Sequence, residues 1–170
     1  MKLSALVSEL DNKLCLSQFS RDVSNNGLQI EGNPEVRLAG FAVDFSLETI
    51  QRAIEKNCDF LFVHHGMSWG SEPRVLTGNT AQKLKLIFEQ NMSLYAAHLP
   101  LDAHPEIGNN AQLVDIFGLK NPVPSCEYAG SLIGFAAQNS ASRTVADFMA
   151  AAQQKLNAPA RIFAAWNRIF

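Results

Sequence analysis

Apolar positions that recur every three or four residues alternate along the chain with short apolar runs, which predicts helices alternating with strands. Between Leu3 and Leu14 the apolar side chains fall on one helical face, so the chain is expected to begin with an amphipathic helix. The predicted strands cover 36–43, 59–63 and 93–97, and the predicted helices after them cover 46–57, 81–91 and 110–117. The run Asp59–Val63 is almost wholly apolar, as in a strand buried on both faces. This order predicts an α/β fold with a parallel-rich sheet flanked by helices.

Local signals at the ends of the predicted helices support these boundaries. Ser46 and Thr80 are predicted to cap the second and third helices, and Gly118 occupies the position of a C-cap after the fourth. The polar stretch 24–29 and the Gly- and Ser-containing segment 66–78 are predicted to be loops.

The last quarter of the chain predicts the start of a second lobe. The segment 121–125 contains two prolines and is predicted to be a linker. Beyond it, strands are predicted over 131–137 and 161–165, with a helix capped by Thr144 between them. The expected division is an N-terminal α/β lobe over 1–120, which carries the candidate metal ligands, and the start of a second α/β lobe over 126–170. Because the chain stops soon after an apolar strand, we expect this second lobe to be incomplete and the chain to be C-terminally truncated.

Composition narrows the class of protein. The chain has 170 residues, 47% of them hydrophobic, and a net charge of −2, which suits a globular protein and gives no electrostatic reason to expect nucleic acid or an anionic membrane as partner. No apolar run reaches the length needed to span a membrane.

The three cysteines lie far apart without a C-x-x-C motif, so we expect a reduced, cytoplasmic protein in which each cysteine is a small buried hydrophobe. Glycine-rich phosphate loops are absent.

Metal-capable side chains follow two of the predicted strands. His64 and His65 follow the second strand, and His98 and Asp102 follow the third. In α/β proteins functional groups gather where strands end, and imidazoles with a carboxylate are the usual ligands of divalent transition metals. At the end of a strand two adjacent imidazoles can serve two different ions. The alternative for the pair is one core histidine bonded to the backbone and one surface histidine.

The other two side chains have alternatives of their own. Asp102 either holds or bridges divalent ions, or it starts a turn or caps a helix in the segment that follows. His98 is either a further ligand or a group that lines a substrate pocket.

Several polar residues nearby are weaker candidates. Asp44 ends the first predicted strand, where it either enters the same crevice or caps a helix. Asn25, Asn26 and Gln29 are candidates for binding a polar ligand, although a turn explains the asparagines more simply. His104 precedes a proline in a loop and is expected to be solvent-exposed.

Four segments together resemble the YbgI/Nif-three-like family, whose members are often called GTP cyclohydrolase type-2 homologues. The segments are Asn26–Gln29, Asp59–Gly66, His98–Asp102 and Gly108–Leu113. The resemblance extends over nearly the whole chain, to about residue 165. It implies a two-lobed Nif-three-like fold with a dinuclear metal centre in the crevice, assembled into a toroidal homohexamer.

The resemblance also implies roles for individual residues. His64 and His65 would bind the two different ions, Asp102 would join the ion of His65, and His98 would line the pocket. The remaining ligands of the family, a His and a Glu four residues later, lie near the C-terminus of longer chains, and no H-x-x-x-E follows Asp102 here. Histidine and carboxylate ligands suit Fe, Mn, Zn, Co or Ni, so the identity of the two divalent ions is left open.

The function expected from this ligand set is metal-dependent hydrolysis. A bound divalent ion lowers the pKa of its water toward neutrality, and a second ion stabilises the reacting oxygens. We therefore expect a dinuclear divalent-metal protein that hydrolyses a small-molecule substrate, a nucleotide or related heterocycle. The alternatives are a non-catalytic metal-binding or scaffold protein and an inactive truncated copy.

Overall fold

The computed structural model describes residues 1–71, 75–141 and 143–161. Within these ranges the helices and strands, in chain order, are α1 (Leu3–Lys13), β1 (Gly27–Ile30), β2 (Ala39–Asp44), α2 (Leu47–Glu55), β3 (Phe60–His65), α3 (Gly78–Glu89), β4 (Ser93–Ala96), α4 (Leu99–Ala103), α5 (Asn109–Ile116), β5 (Lys120–Tyr128), β6 (Ser131–Gln138) and α6 (Val145–Leu156), with a short 3-10 helix at Leu16–Phe19. No helix in this part of the chain is long and apolar enough to cross a membrane.

The first sheet has the strand order β1-β4-β3-β2. β3 lies parallel to both β2 and β4, and β1 completes the sheet antiparallel to β4. The predicted α/β fold with a parallel-rich sheet flanked by helices is therefore confirmed. Because β2, β3 and β4 run in the same direction, their carboxyl ends meet at one edge, and the register places Asp44 beside His65.

Two apolar layers cover the two faces of this sheet. Successive residues of β3 alternate between them, since strand side chains point to opposite faces. One layer contains Leu61 and Val63 and packs against residues of α2 and α3, and the other contains Phe60 and Phe62 and packs against α1. Each of these four side chains is at most 7% exposed. Burial of one such side chain stabilises the fold by about 1.5–3 kcal/mol, so β3 is held firmly from both sides.

Three of the four predicted helix caps are present in the structure. The Ser46 hydroxyl accepts a hydrogen bond from the Thr49 N–H at 3.1 Å at the start of α2, and Thr144 forms a capping box with Asp147 at the start of α6. Gly118 adopts φ +60° after α5, where its N–H donates to the Asp115 carbonyl. The predicted cap at Thr80 is wrong. α3 begins at Gly78, one turn earlier, and the Ala81 N–H donates to the backbone carbonyl of Thr77.

Two predicted loops are strands. Gly27–Ile30, part of which was expected to be a loop, is strand β1. Four residues of mixed polarity do not predict a strand from sequence, and this one forms because it pairs with β4. The expected linker over 121–125 is the first half of β5, which pairs with β6 as a hairpin. Prolines are tolerated there because a two-stranded sheet consists only of edges. The short helix α4 was not predicted. Of the strand expected over 161–165, residues 162–165 lie outside the described residues, and residue 161 is not in a strand.

The hairpin and α6 follow the first sheet without joining it. β5 and β6 form a sheet of their own, and α6 contains no fully buried residue. The Asn110 side chain donates to the Ile133 carbonyl at 2.7 Å and so ties α5 to β6. The division into a first lobe over 1–120 and a second over 126–170 stays a prediction.

The cysteines depart from their expected burial. Cys15 and Cys126 are exposed, and only Cys58 is partly buried; all three are free thiols. Cys15 has a left-handed backbone just after α1, and Cys126 lies in the exposed hairpin. Neither position offers a core to fill, so the prediction of three buried cysteines is wrong for two of them.

Candidate metal centre

Three histidines meet at the carboxyl edge of the first sheet. His64 and His65 are the last two residues of β3, and His98 follows β4. The ring centroids of His64 and His65 lie 4.5 Å apart, and that of His98 lies 5.1 Å from His64 and 5.7 Å from His65. One possible ligand atom from each lies within 4.8 Å of the other two. Among the described residues this is the only such group of histidine, cysteine and acidic side chains, and we call it the histidine cluster.

Each ring of the histidine cluster is anchored through its Nδ1 atom. The three contacts are His64 Nδ1 to the Ala97 carbonyl oxygen at 2.9 Å, His65 Nδ1 to Asp44 Oδ1 at 2.7 Å, and His98 Nδ1 to Asp22 Oδ1 at 3.0 Å. Carbonyl and carboxylate oxygens only accept, so each Nδ1 carries the hydrogen. In a neutral ring the Nε2 atom then keeps its lone pair, which is the form that binds a metal.

Asp102 lies beside the histidine cluster. It belongs to α4, and its Oδ2 atom is 3.6 Å from His64 Nε2, too far for a hydrogen bond. Its Oδ1 atom accepts a hydrogen bond from the Asn109 side chain at 2.9 Å. Gly108 lets α5 begin this close to α4, since an added Cβ would lie 2.3 Å from the His104 carbonyl oxygen. The structure thus brings Asp102 to the histidines, and its role as a ligand stays a prediction.

Asp22 was not identified from the sequence. Its side chain is fully buried and accepts hydrogen bonds from the N–H groups of Ser24 and Leu99 and from the side chains of Asn26 and His98. Burial by itself would raise the pKa of this carboxyl, but the four hydrogen bonds together hold its pKa below the usual value. An isolated aspartate in a polar stretch has no sequence signal that distinguishes it.

Asn26 and Gln29 stabilise the loops around the cluster. The Asn26 Oδ1 atom accepts from the His98 N–H at 2.8 Å, and Gln29 Oε1 accepts from the Met67 N–H at 2.7 Å. Gly66 allows Gln29 to approach, since an added Cβ would lie 2.4 Å from Gln29 Oε1 and 2.6 Å from the Ala96 Cβ. These amides are engaged inside the protein, which favours a local structural role over binding of a polar ligand.

The remaining candidates divide between the site and its surroundings. Asp44 lies in the crevice against His65, while Ser46, not Asp44, caps α2. Trp69, which the sequence did not single out, packs edge-on against His98 with ring centroids 5.0 Å apart. His104 lies outside the cluster and is only partly exposed, because its Nδ1 atom accepts two backbone N–H groups of the following turn. The expectation of a solvent-exposed His104 is wrong to that extent.

The surroundings of His64 favour its neutral form. Burial lowers the pKa of His64, and the nearby rings of His65 and His98 lower it further, while the Ala97 carbonyl and Asp102 act in the opposite direction. A neutral imidazole beside a carboxylate is a donor set that fits a divalent transition metal. His64, His65 and His98 form the group that could hold such an ion, and a ligand role for Asp102 beside them stays a prediction.

Comparison with known proteins identifies relatives of the chain. A family model described as Duf34/NIF3 (NGG1p interacting factor 3) matches residues 1–168. A curated protein named GTP cyclohydrolase 1 type 2 homolog from Pyrococcus abyssi is 46% identical over 135 residues, which cover 79% of this chain and 53% of the relative. Its counterpart from Archaeoglobus fulgidus is 44% identical over 138 residues, covering 81% and 56%. The chain thus spans about half the length of these relatives.

Solved structures agree with these matches. The protein ybgI, described as of unknown function, superposes with a TM-score of 0.85 at 30% identity, over 92% of this chain and 61% of that one. TTHA1606 from Thermus thermophilus superposes with a TM-score of 0.71 at 44% identity, over 74% and 51%. Reduced HcgD from Methanocaldococcus jannaschii gives 0.72 at 27% identity, over 91% and 60%. The resemblance and the fold expected from it are confirmed.

Proposed function

The chain belongs to the Duf34/NIF3 family, and we propose that its His64, His65 and Asp102 form part of a divalent-metal centre for metal-dependent hydrolysis. The observation that supports this most directly is the histidine cluster itself, in which three rings anchored through Nδ1 leave their Nε2 atoms available beside a carboxylate. Curated relatives carry the name GTP cyclohydrolase 1 type 2 homolog, which supports a nucleotide or related heterocycle as the substrate class.

The residues of the chain hold the side chains of the site in their orientations. When bound, a divalent ion would lower the pKa of a coordinated water toward neutrality and polarise a substrate oxygen. Asn109 holds the Asp102 carboxylate toward His64, and Asp44 holds the ring of His65. The indole of Trp69, which donates to the Gly66 carbonyl at 3.0 Å, packs against the rings of His65 and His98.

The number of ions and the assembly are further parts of the proposal. The family resemblance supports a dinuclear centre in which His64 and His65 bind different ions and Asp102 joins the ion of His65, with His98 lining the pocket. The 4.5 Å between the rings of the adjacent histidines is compatible with ions that are close neighbours. The resemblance also supports a homohexamer, which light scattering of the purified chain would test directly.

Metal content and turnover of matched variants test the central claim. We expect the purified chain to bind Zn²⁺, Mn²⁺ or Co²⁺ and His65→Ala to lose most of this binding. His104→Ala is the control, because His104 is the one histidine of the chain outside the cluster. Metal content by mass spectrometry and GTP turnover by chromatography would be measured on all three proteins.

The outcomes separate the alternatives. Metal-dependent turnover that is lost in His65→Ala and kept in His104→Ala supports a hydrolase. Tight metal binding without turnover of GTP or phosphoesters supports a non-catalytic metal-binding protein. Equal metal content in the wild type and His65→Ala would remove the basis of the proposal, and a chain that binds no metal would correspond to an inactive copy.

A further inference from the structure

One cavity of the molecule lies away from the histidine cluster, between α4 and the β5–β6 hairpin. Its volume is about 570 Å³, within the range of about 300–1,000 Å³ that is usual for small-molecule pockets. Its walls come from the end of α1, the 3-10 helix, α4 with the loop after it, and both strands of the hairpin. The described residues that line it include no member of the histidine cluster and not Asp102. We call this space the hairpin cavity.

Hydrogen bonds fix the hairpin against the other walls of the cavity. The Ser131 hydroxyl donates to the Gln18 carbonyl at 3.3 Å, which joins β6 to the 3-10 helix. The Asn110 side chain donates to the Ile133 carbonyl at 2.7 Å, which joins β6 to α5. Because two separate helices hold the same strand, the hairpin cavity is formed without a ligand, as most small-molecule sites are.

The interior of the hairpin cavity is apolar. Leu14 and Pro100, which are both buried, line it together with the partly buried rings of Phe19 and Phe135. Aromatic rings offer a large apolar contact surface and prefer defined geometries against other rings. A flat apolar group of suitable size would therefore gain by leaving water for this cavity.

The charges at the hairpin cavity are positive. Lys13 lines it, and Arg21 packs over Gly130 at its edge. Gly130 has φ +81°, and a Cβ added there would lie 3.2 Å from a guanidinium nitrogen of Arg21. Neither Lys13 nor Arg21 forms an ion pair with another described residue. A cleft with apolar walls and uncompensated charge of one sign attracts small ions of the other sign.

The lack of carboxylates distinguishes this cavity from three others. None of the described residues that line the hairpin cavity is acidic. The three other cavities, of about 510, 820 and 290 Å³, each have two acidic residues, which are Asp44 and Glu48, Glu31 and Glu35, and Glu106 and Asp115 respectively. Negative charges there oppose the binding of an anion, so the hairpin cavity suits an anion best among the four.

We propose that the hairpin cavity binds a small organic anion with a flat apolar body, of the class of the aromatic carboxylates. The ring system would pack against Phe19 and Phe135, and the carboxylate would face Lys13 and Arg21. This site is separate from the proposed metal centre and does not depend on the metal-binding function.

The binding test compares 2-naphthoate with its neutral amide, 2-naphthamide, by NMR titration of the whole chain. Because Lys13 and Arg21 are exposed, their attraction for the carboxylate should favour 2-naphthoate by only about twofold to fivefold. Lys13→Gln should lower this preference. Lys120→Gln removes an exposed lysine of β5 that does not line the cavity, so this control should keep the preference. Phe135→Ala should weaken the binding of both compounds by about tenfold.

Cys15 allows occupancy of the cavity to be measured on the unaltered chain, in case Phe135→Ala does not fold. Cys15 lines the hairpin cavity, whereas Cys126 is exposed in the hairpin and is not among the described residues that line it. Both are free thiols. Saturating 2-naphthoate should slow the alkylation of Cys15 by iodoacetamide several-fold and leave that of Cys126 unchanged. Mass spectrometry of the peptides measures both rates in one sample.

Each result either supports or overturns the proposal. Selective protection of Cys15, with a preference for the anion that depends on Lys13, would support it. Equal protection of Cys15 and Cys126, or protection of neither, would show that the ligand does not bind in the hairpin cavity. Equal affinities for 2-naphthoate and 2-naphthamide would refute the preference for an anion, as would equal effects of Lys13→Gln and Lys120→Gln. A folded Phe135→Ala variant that binds both compounds like the wild type would exclude the ring contact.

Discussion

Strand β3, which leads to the carboxyl edge of the first sheet, and the β5–β6 hairpin both contain apolar side chains, but these are buried in β3 and exposed in the hairpin. Phe60 to Val63 in β3 are at most 7% exposed, whereas Val123, Tyr128 and Leu132 in the hairpin are half exposed or more. β3 has a strand on each side and an apolar layer on each face, while each hairpin strand has one partner. A side chain can be held within a fraction of an ångström only when the backbone under it cannot shift, and this explains why the histidine cluster lies at the end of β3.

Truncation of an apolar side chain should show the largest difference between the two regions. Leu61→Ala removes a side chain that is 2% exposed, and a loss of about 2–5 kcal/mol in the free energy of unfolding is expected from the cavity it leaves. Leu132→Ala removes one that is 50% exposed and should cost about 0.5 kcal/mol or less. Urea unfolding followed by circular dichroism measures the stability of both variants, and equal losses would contradict the difference in burial between β3 and the hairpin.

Asp59 should make the stability of the first sheet depend on pH. It accepts hydrogen bonds from the backbone N–H groups of Arg37 and Leu38. Burial would raise its pKa, but these bonds and the Arg37 side chain hold the pKa below the usual value of 3.8. The stabilisation is therefore fully present above that value and is lost as the pH falls through the lowered pKa of the folded state.

Asp59→Asn is expected to cost about 1–3 kcal/mol in the free energy of unfolding at pH 7, because two backbone donors lose a charged acceptor. The difference from the wild type should shrink in acid. The control is Asp147→Asn at the exposed start of α6, the helix that follows the hairpin, where the pKa is also lowered by hydrogen bonds with Thr144. In thermal unfolding between pH 2 and pH 7, the difference in stability between Asp147→Asn and the wild type should depend much less on pH than the difference between Asp59→Asn and the wild type. An identical pH dependence of the two differences would argue against the role of burial.

A pair of glycine substitutions gives a third comparison of the two regions. Gly66→Ala would place a Cβ within 2.6 Å of Gln29 and Ala96, so a loss of about 1–3 kcal/mol and weaker Co²⁺ binding are expected. Gly134→Ala in β6 brings its Cβ no closer than 3.3 Å, to the Cβ atom of the exposed Cys126. Its stability should change by about 0.5 kcal/mol or less. A Gly66→Ala variant as stable as Gly134→Ala would show that the loop after β3 yields more easily than the contacts indicate.

The success of prediction from sequence depends on the length and regularity of each element. β3 and α2 were predicted close to their observed bounds because a continuous apolar run and a serine cap are local signals. β1 and α4 have only four and five residues, too few for a period to be recognised, and the prolines of β5 resemble those of a linker. These elements form because of partners elsewhere in the fold.

The residues of the candidate site also divide into those that local sequence indicates and those that only the fold reveals. His64, His65, His98 and Asp102 were identified from their positions after apolar runs, and the fold brings all four together. Asp22 and Trp69 were not, because nothing in their local sequence distinguishes them from other loop residues. Both residues join the site through contacts with His98, which lies close to them in space but far from Asp22 in sequence.

The sequence by itself determined that apolar strands end in metal-capable side chains, because runs of apolar residues and the caps of helices act over a few neighbours. Only the tertiary structure decided which nitrogen each ring presents to the cluster. The acceptors that hold Nδ1 of His65, His64 and His98 are 21, 33 and 76 residues away along the chain. The orientation of an imidazole depends on an oxygen within about 3 Å of the ring, and only folding brings such distant residues that close.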